Sequence, residues 1–164
     1  MKYGDRYFDF ISDEVLKIAR EFLPISDKRE DTFVAGLSMG GGGAIRCGLR
    51  YGHVFGKAAG LSAGLTIGEE AQKVGHGADT MKALEDVLAK KDPLPELFLS
   101  IGTEDPLLQD NRTYHEFLKQ KGIAHVYEEH SGGHTWEYWD GHLPDVLDWL
   151  QGHRDGAAKA VGEV

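Results

Sequence analysis

The sequence predicts an α/β domain: a mostly parallel sheet with helices on both faces. Three observations carry this. Short apolar runs such as Thr32-Phe33-Val34-Ala35 and Leu97-Phe98-Leu99-Ser100-Ile101 alternate along the chain with stretches of helical periodicity. A glycine-flanked turn, Gly36-Leu37-Ser38-Met39-Gly40, joins one such strand directly to a helix-forming segment. Length and composition also fit: 164 residues, 41% hydrophobic and 27% charged, suit one soluble domain with a substantial core.

The elements follow in order. Between Asp5 and Leu23, Phe8, Ile11, Val15, Ile18 and Phe22 recur every three or four residues with charges between them, an amphipathic helix stopped by Pro24. Thr32 to Leu37 is expected as a short strand covered on both sides, and Met39 to Tyr51 as the helix after it. Lys57 to Ser62 reads as a weaker strand rich in Ala and Gly, followed by a glycine-containing loop to about Ala78. Asp79 is a candidate N-cap for a helix carrying Met81, Leu84, Val87 and Leu88 on one face. Pro93 and Pro95 close the linker before the strand Leu97 to Ile101. Asp110 to Lys121 is helical and stopped by Gly122. Ile123 to Glu128 is the last strand, and Trp136 to Leu150 the last helix, with a break expected near Gly141 and Pro144. A single domain over residues 1–151 and a flexible tail over 152–164 are expected.

The turn at Ser38 is the chemically informative feature. A strand, G-x-S-x-G and a helix form the context of a nucleophile elbow, in which a serine hydroxyl projects from a tight turn. Small residues at Gly36 and Gly40 keep neighbouring atoms clear, and the Met39 N–H at the first turn of the helix points toward a developing oxyanion. Chance supplies such a pentapeptide about 0.1 times in a chain of this composition, and the flanking strand and helix narrow it further. A phosphate-binding reading fails: Gly43 is followed by Ala44 and Ile45 rather than Lys-Ser or Lys-Thr, and no G-x-G-x-x-G register fits.

A serine nucleophile needs a base, and the base needs an orienting acid. In open α/β sheets such groups lie beyond the carboxyl ends of strands. After Ile101 comes Gly102-Thr103-Glu104-Asp105-Pro106, and after Glu128 comes Glu129-His130-Ser131-Gly132-Gly133-His134. Asp105 is preferred to Glu104 because Pro106 fixes its turn. His134 is preferred to His130 because Gly132 and Gly133 let the chain fold back toward the elbow. The four-residue spacing of the two histidines does not make a zinc site, since Ser131-Gly132-Gly133 forbids the helix it needs. No metal is expected, and the other histidines need no function. Trp136, Tyr138 and Trp139 are candidates either for a substrate pocket, Trp136 first, or for packing of the last helix.

The net charge of −9 argues against nucleic acid and anionic membrane surfaces as partners. Cys47 is the lone cysteine, expected as a buried packing residue. With no membrane-length apolar run and no signal pattern at Met1 to Arg6, a cytoplasmic location is expected.

Four stretches carry a family resemblance: Pro24 through Gly43, Gly102 to Asp105, Tyr127 to Glu129, and Gly132 to Asp140. Over about Tyr7 to Leu150 the chain resembles the esterase D / feruloyl esterase branch of the α/β-hydrolases, particularly tributyrin-esterase-like carboxylesterases. The resemblance implies a catalytic Ser38, Asp105 and His134, hydrolysis of short-chain or aromatic-acid esters, and no cofactor. It also implies roughly four further strands ahead of the first helix, with a second oxyanion donor; this sequence is expected to lack them. The strand Thr32 to Leu37 is then a sheet edge, and self-association into a homo-oligomer through it, or completion by another piece, is expected. Two other readings stand beside the esterase: a catalytically weak hydrolase acting as a binding or assembly module, and a thioesterase or S-formylglutathione hydrolase using the same residues.

Overall fold

A computed structural model describes residues 4–67 and 79–152. The part of the expected loop between 68 and 78, and the expected tail beyond residue 152, lie outside the described residues. Helix α1 (Gly4–Asp9), a π-helical turn (Phe10–Glu14) and α2 (Val15–Phe22) are followed by β1 (Phe33–Leu37), α3 (Met39–Arg50), β2 (Lys57–Leu61), α4 (Thr80–Lys90), β3 (Glu96–Gly102), α5 (Leu108–Gln120), β4 (His125–His130) and α6 (Trp136–Leu150). The four strands are parallel, in the order β1-β2-β3-β4. Sequential parallel strands demand crossovers, and the three helices between them supply these.

Alternate strand residues feed two cores. Ala58, Leu97 and Leu99 pack with Ile45 and Leu49 of α3, Leu84 and Val87 of α4, and Tyr114 and Leu118 of α5. On the opposite face Ala59, Leu61 and Phe98 pack with Tyr138, Trp139, Val146 and Trp149 of α6. Asp79 caps α4 as expected, accepting from the N–H groups of Met81 and Lys82 at 2.9 and 3.1 Å. Cys47 is buried, and that burial pushes its thiol up to about 11.

Four expectations need correction. The apolar stripe of the first helical segment is exposed rather than buried beyond half-buried Phe8, with Phe22 at 79%. Among the described residues its apolar side chains join neither core, and polar contacts tie the segment down instead: Tyr51 to Asp9, and Arg20 Nη2 to Thr32 Oγ1 at 3.5 Å. β1 is only half-covered, with Ala35 exposed. β4 runs on through His130, because its pairing with β3 continues to Gly102↔His130. The last helix is unbroken despite Pro144. An interior proline costs about 3 kcal/mol, and buried Tyr138 and Trp139 on one side of it, with Val146 and Trp149 on the other, hold both halves against the sheet.

Candidate active site

The carboxyl ends of all four strands lie at one end of the sheet, and three of the loops that follow them carry the predicted groups. Ser38 sits between β1 and α3 at φ 54° and ψ −124°, a region that costs a non-glycine residue on the order of 1–3 kcal/mol. The backbone around it compensates. Ser38 N–H donates to Leu61 O at 2.9 Å, and Ser38 O accepts from Gly64 N–H at 2.7 Å and from Gly42 N–H at 3.2 Å. Serine is a favoured N-cap residue, yet the Ser38 hydroxyl makes no cap bond to α3. It meets His134 Nε2 instead, at 2.8 Å.

The elbow's glycines divide unequally. A Cβ at Gly36 would lie 2.3 Å from Gly40 O, a collision with backbone, so this close approach admits only glycine. Gly40 has nothing within 4 Å of its own Cβ position. The expectation that both residues clear space by lacking a side chain therefore holds for Gly36 alone; Gly40 contributes its backbone.

His134 Nδ1 lies 2.8 Å from Asp105 Oδ2, and the Asp105 side chain is fully buried. The second Asp105 oxygen, Oδ1, accepts from Leu107 N–H at 2.8 Å, which sets the carboxylate plane. The structure therefore brings Ser38, His134 and Asp105 into one hydrogen-bonded row. His130 faces away and pairs with Glu128. Met39 opens α3 beside Ser38 with its side chain 83% exposed. The first N–H groups of a helix lack partners within it, so this end of α3 offers donors and the positive end of a dipole. Trp136 is 68% exposed and stands edge-to-face against Trp139 at 5.2 Å.

Two residues, Glu104 and Trp139, have roles that the sequence did not disclose, and a third, Gly132, makes the turn expected of it. Glu104, weighed only as a rival to Asp105, is a clamp. Its carboxylate accepts from Gly132 N–H, its own N–H donates to Gly132 O at 3.0 Å, and Thr103 N–H donates to His130 O at 2.8 Å. The Asp105 loop and the His134 loop are thus tied backbone to backbone, and the Gly132 bond holds the Glu104 carboxyl below the usual carboxylate range. Gly132 takes φ 133°, open to glycine, with the Tyr138 ring against it. Trp139 places its ring edge-to-face on His134 at 5.0 Å while its Nε1–H donates to buried Ser62 Oγ at 3.0 Å. Aromatic side chains two and five residues beyond a candidate histidine are the signal for this, ambiguous between pocket and core.

Two clefts of about 350 and 300 Å³ lie elsewhere, one lined by Met81, Arg112 and Phe117, the other by Arg46, Lys82 and Asp86. Neither touches the row of three. Among the described residues, no helix is long and apolar enough to cross a membrane.

Residues 2–150 match the Esterase family model, described as "Putative esterase". An acetyl esterase from Caldicellulosiruptor saccharolyticus is 32% identical, over 89% of this chain and 64% of its own length. Among solved structures, an S-formylglutathione hydrolase from Staphylococcus aureus superimposes with a TM-score of 0.81 at 30% identity, covering 92% of this chain and 65% of that one. A ferulic acid esterase gives 0.76 at 26% identity, over 88% of this chain and 60% of that one. The chain thus spans somewhat under two thirds of these relatives.

Proposed function

The chain belongs to the Esterase family of α/β-hydrolase fold, and from that premise we propose that it is a serine carboxylesterase acting on short-acyl esters through Ser38, His134 and Asp105. One observation carries the reading: an unbroken 2.8 Å and 2.8 Å relay joining side chains 96 and 29 residues apart in sequence. Ser38 Oγ attacks the ester carbonyl as His134 Nε2 takes its proton. The imidazolium that forms is held by the buried Asp105 carboxylate, then gives the proton to the departing alcohol. Water, deprotonated by the same imidazole, releases the acid from the Ser38 acyl-enzyme. The Met39 N–H supports the oxyanion, a type of donor whose loss costs about 100- to 1,000-fold in turnover.

Acetyl and formyl groups, named for two of the relatives, set the expected acyl size. Exposed Trp136, beside Trp139 and two residues from His134, is the apolar surface on which an aromatic acid or alcohol would rest. The likeness to an S-formylglutathione hydrolase favours one second reading, thioester cleavage by the same residues. Hydrolysis of p-nitrophenyl acetate and butyrate, assayed beside a matched thioester and repeated with Ser38→Ala, separates the two. Inertness of the wild type toward all of these substrates would leave an assembly role as the better account. For that role the pairing surface is β1, whose described partner is β2 alone. A monodisperse monomer by light scattering at micromolar concentration contradicts pairing through it.

A further inference from the structure

A second cluster of chemically active side chains lies between the end of β4 and the middle of α6. Glu128 and His130, two apart on a strand, share one face of β4; His142 and Asp145, three apart on a helix, share one face of α6. The His130 and His142 rings stack at 4.2 Å with 15° between planes. His142 Nδ1 meets Asp145 Oδ2 at 2.9 Å, and His130 Nε2 meets Glu128 Oε2 at 3.3 Å. One donor atom from each of His130, His142 and Asp145 falls within 4.8 Å of the others. The four side chains are between 21% and 36% exposed, so an ion has access while water is partly excluded.

From this we infer a binding site for Zn²⁺ made by His130, His142 and Asp145, with water in the fourth position. Two imidazoles and a carboxylate suit a borderline divalent cation better than Mg²⁺ or Ca²⁺, which prefer all-oxygen shells. In a tetrahedral site with bonds of 2.0–2.1 Å the donors stand about 3.3 Å apart. The cluster therefore closes by up to about 1.5 Å on binding, and the stacked His130 and His142 rings turn out of parallel so that both in-plane lone pairs meet the ion. Glu128 lies against His130 Nε2 at 3.3 Å, which leaves His130 Nδ1 as the ring nitrogen for the ion and gives that imidazole an orienting carboxylate. The partner of His130 in this cluster is not His134, four residues on, but His142, twelve residues on.

The location gives the ion a structural consequence. Residues 131–135, which carry His134, leave from His130 and return at Thr135, the N-cap of α6. Tyr138 packs against both Gly132 and the His142 ring, the latter at 4.4 Å. A bridge from His130 to His142 closes the base of that loop and stabilises the fold by linkage.

The test is calorimetric titration of the whole chain with ZnCl₂, paired with thermal melts and Co²⁺ absorption. The expected result is one Zn²⁺ per chain, a rise in Tm on binding, and visible d–d bands of four-coordinate Co²⁺. Affinity falls at least about 10-fold in His142→Ala and in the conservative Asp145→Asn, and it is unchanged in Ser38→Ala and in His115→Ala. Absence of zinc binding by the wild type overturns the site. So does binding that persists in His142→Ala and Asp145→Asn but is lost in His134→Ala or His115→Ala.

Discussion

Substituting alanine for Gly102 tests how tightly the His134 loop is located. Gly102 ends β3 directly opposite His130. A Cβ there would lie 2.0 Å from Gly132 O and 2.6 Å from Gly132 C, whereas real Cβ contacts essentially never fall below 3.0 Å. The strand end and the loop must therefore separate by at least about 1 Å, backbone from backbone, and no flexible side chain can absorb it. Gly132 is two residues from His134 and bonded twice to Glu104. The same displacement carried to the imidazole stretches the 2.8 Å contact with Ser38 to about 3.8 Å, outside the working range of a general base. A misplacement of that size costs about 100-fold. Steady-state hydrolysis of p-nitrophenyl acetate should show kcat down by about two orders of magnitude with KM changed far less, and melting should show a loss of about 1–3 kcal/mol. Gly43→Ala is the control. It lies inside α3 with nothing within 4 Å of its Cβ position, and it should gain up to about 1 kcal/mol with activity unchanged. A Gly102→Ala enzyme within about threefold of wild-type kcat refutes the claim that this packing sets the catalytic distance.

Other outcomes follow from the same geometry. Asp105→Asn, which leaves a neutral amide against His134 Nδ1, should lower kcat about 10,000-fold with little change in Tm; retention of a tenth of the activity contradicts the orienting role. Trp139→Phe keeps a ring on His134 but strands the buried Ser62 hydroxyl, so melting should report a loss of about 1–3 kcal/mol. His115 and His125 meet at 2.7 Å, and burial holds both below the usual histidine value. The folded chain favours their neutral forms, so stability is full above about pH 6.5, where unfolded histidine is also neutral, and declines as pH falls below it. Urea midpoints measured across that range should show the decline, and His125→Asn should flatten it; equal slopes remove these histidines from the account.

Much of this was legible in the sequence because the signals were local. The Ser38 elbow combined a strand, a turn and a helix within one short stretch, and the strand-end rule located Asp105 and His134 without knowledge of their contact. What escaped depended on distant partners. The periodicity of Phe8 to Phe22 specifies an apolar stripe but not a surface to receive it. Pro144 signals a break that tertiary packing of Trp139 and Trp149 overrides. Glu104 looked like a failed candidate for the acid, since its work is done through backbone groups of a loop 28 residues away. Likewise the His130–His142 stack needs β4 and α6 side by side, an adjacency no spacing rule contains.

Covalent trapping of the nucleophile puts the central claim most directly to the test. Intact-mass analysis after exposure to a fluorophosphonate should show one adduct per chain, mapped to Ser38. It should be absent from Ser38→Ala and formed far more slowly by His134→Ala. A wild-type chain that stays unlabelled, or an adduct that survives in Ser38→Ala, contradicts the account.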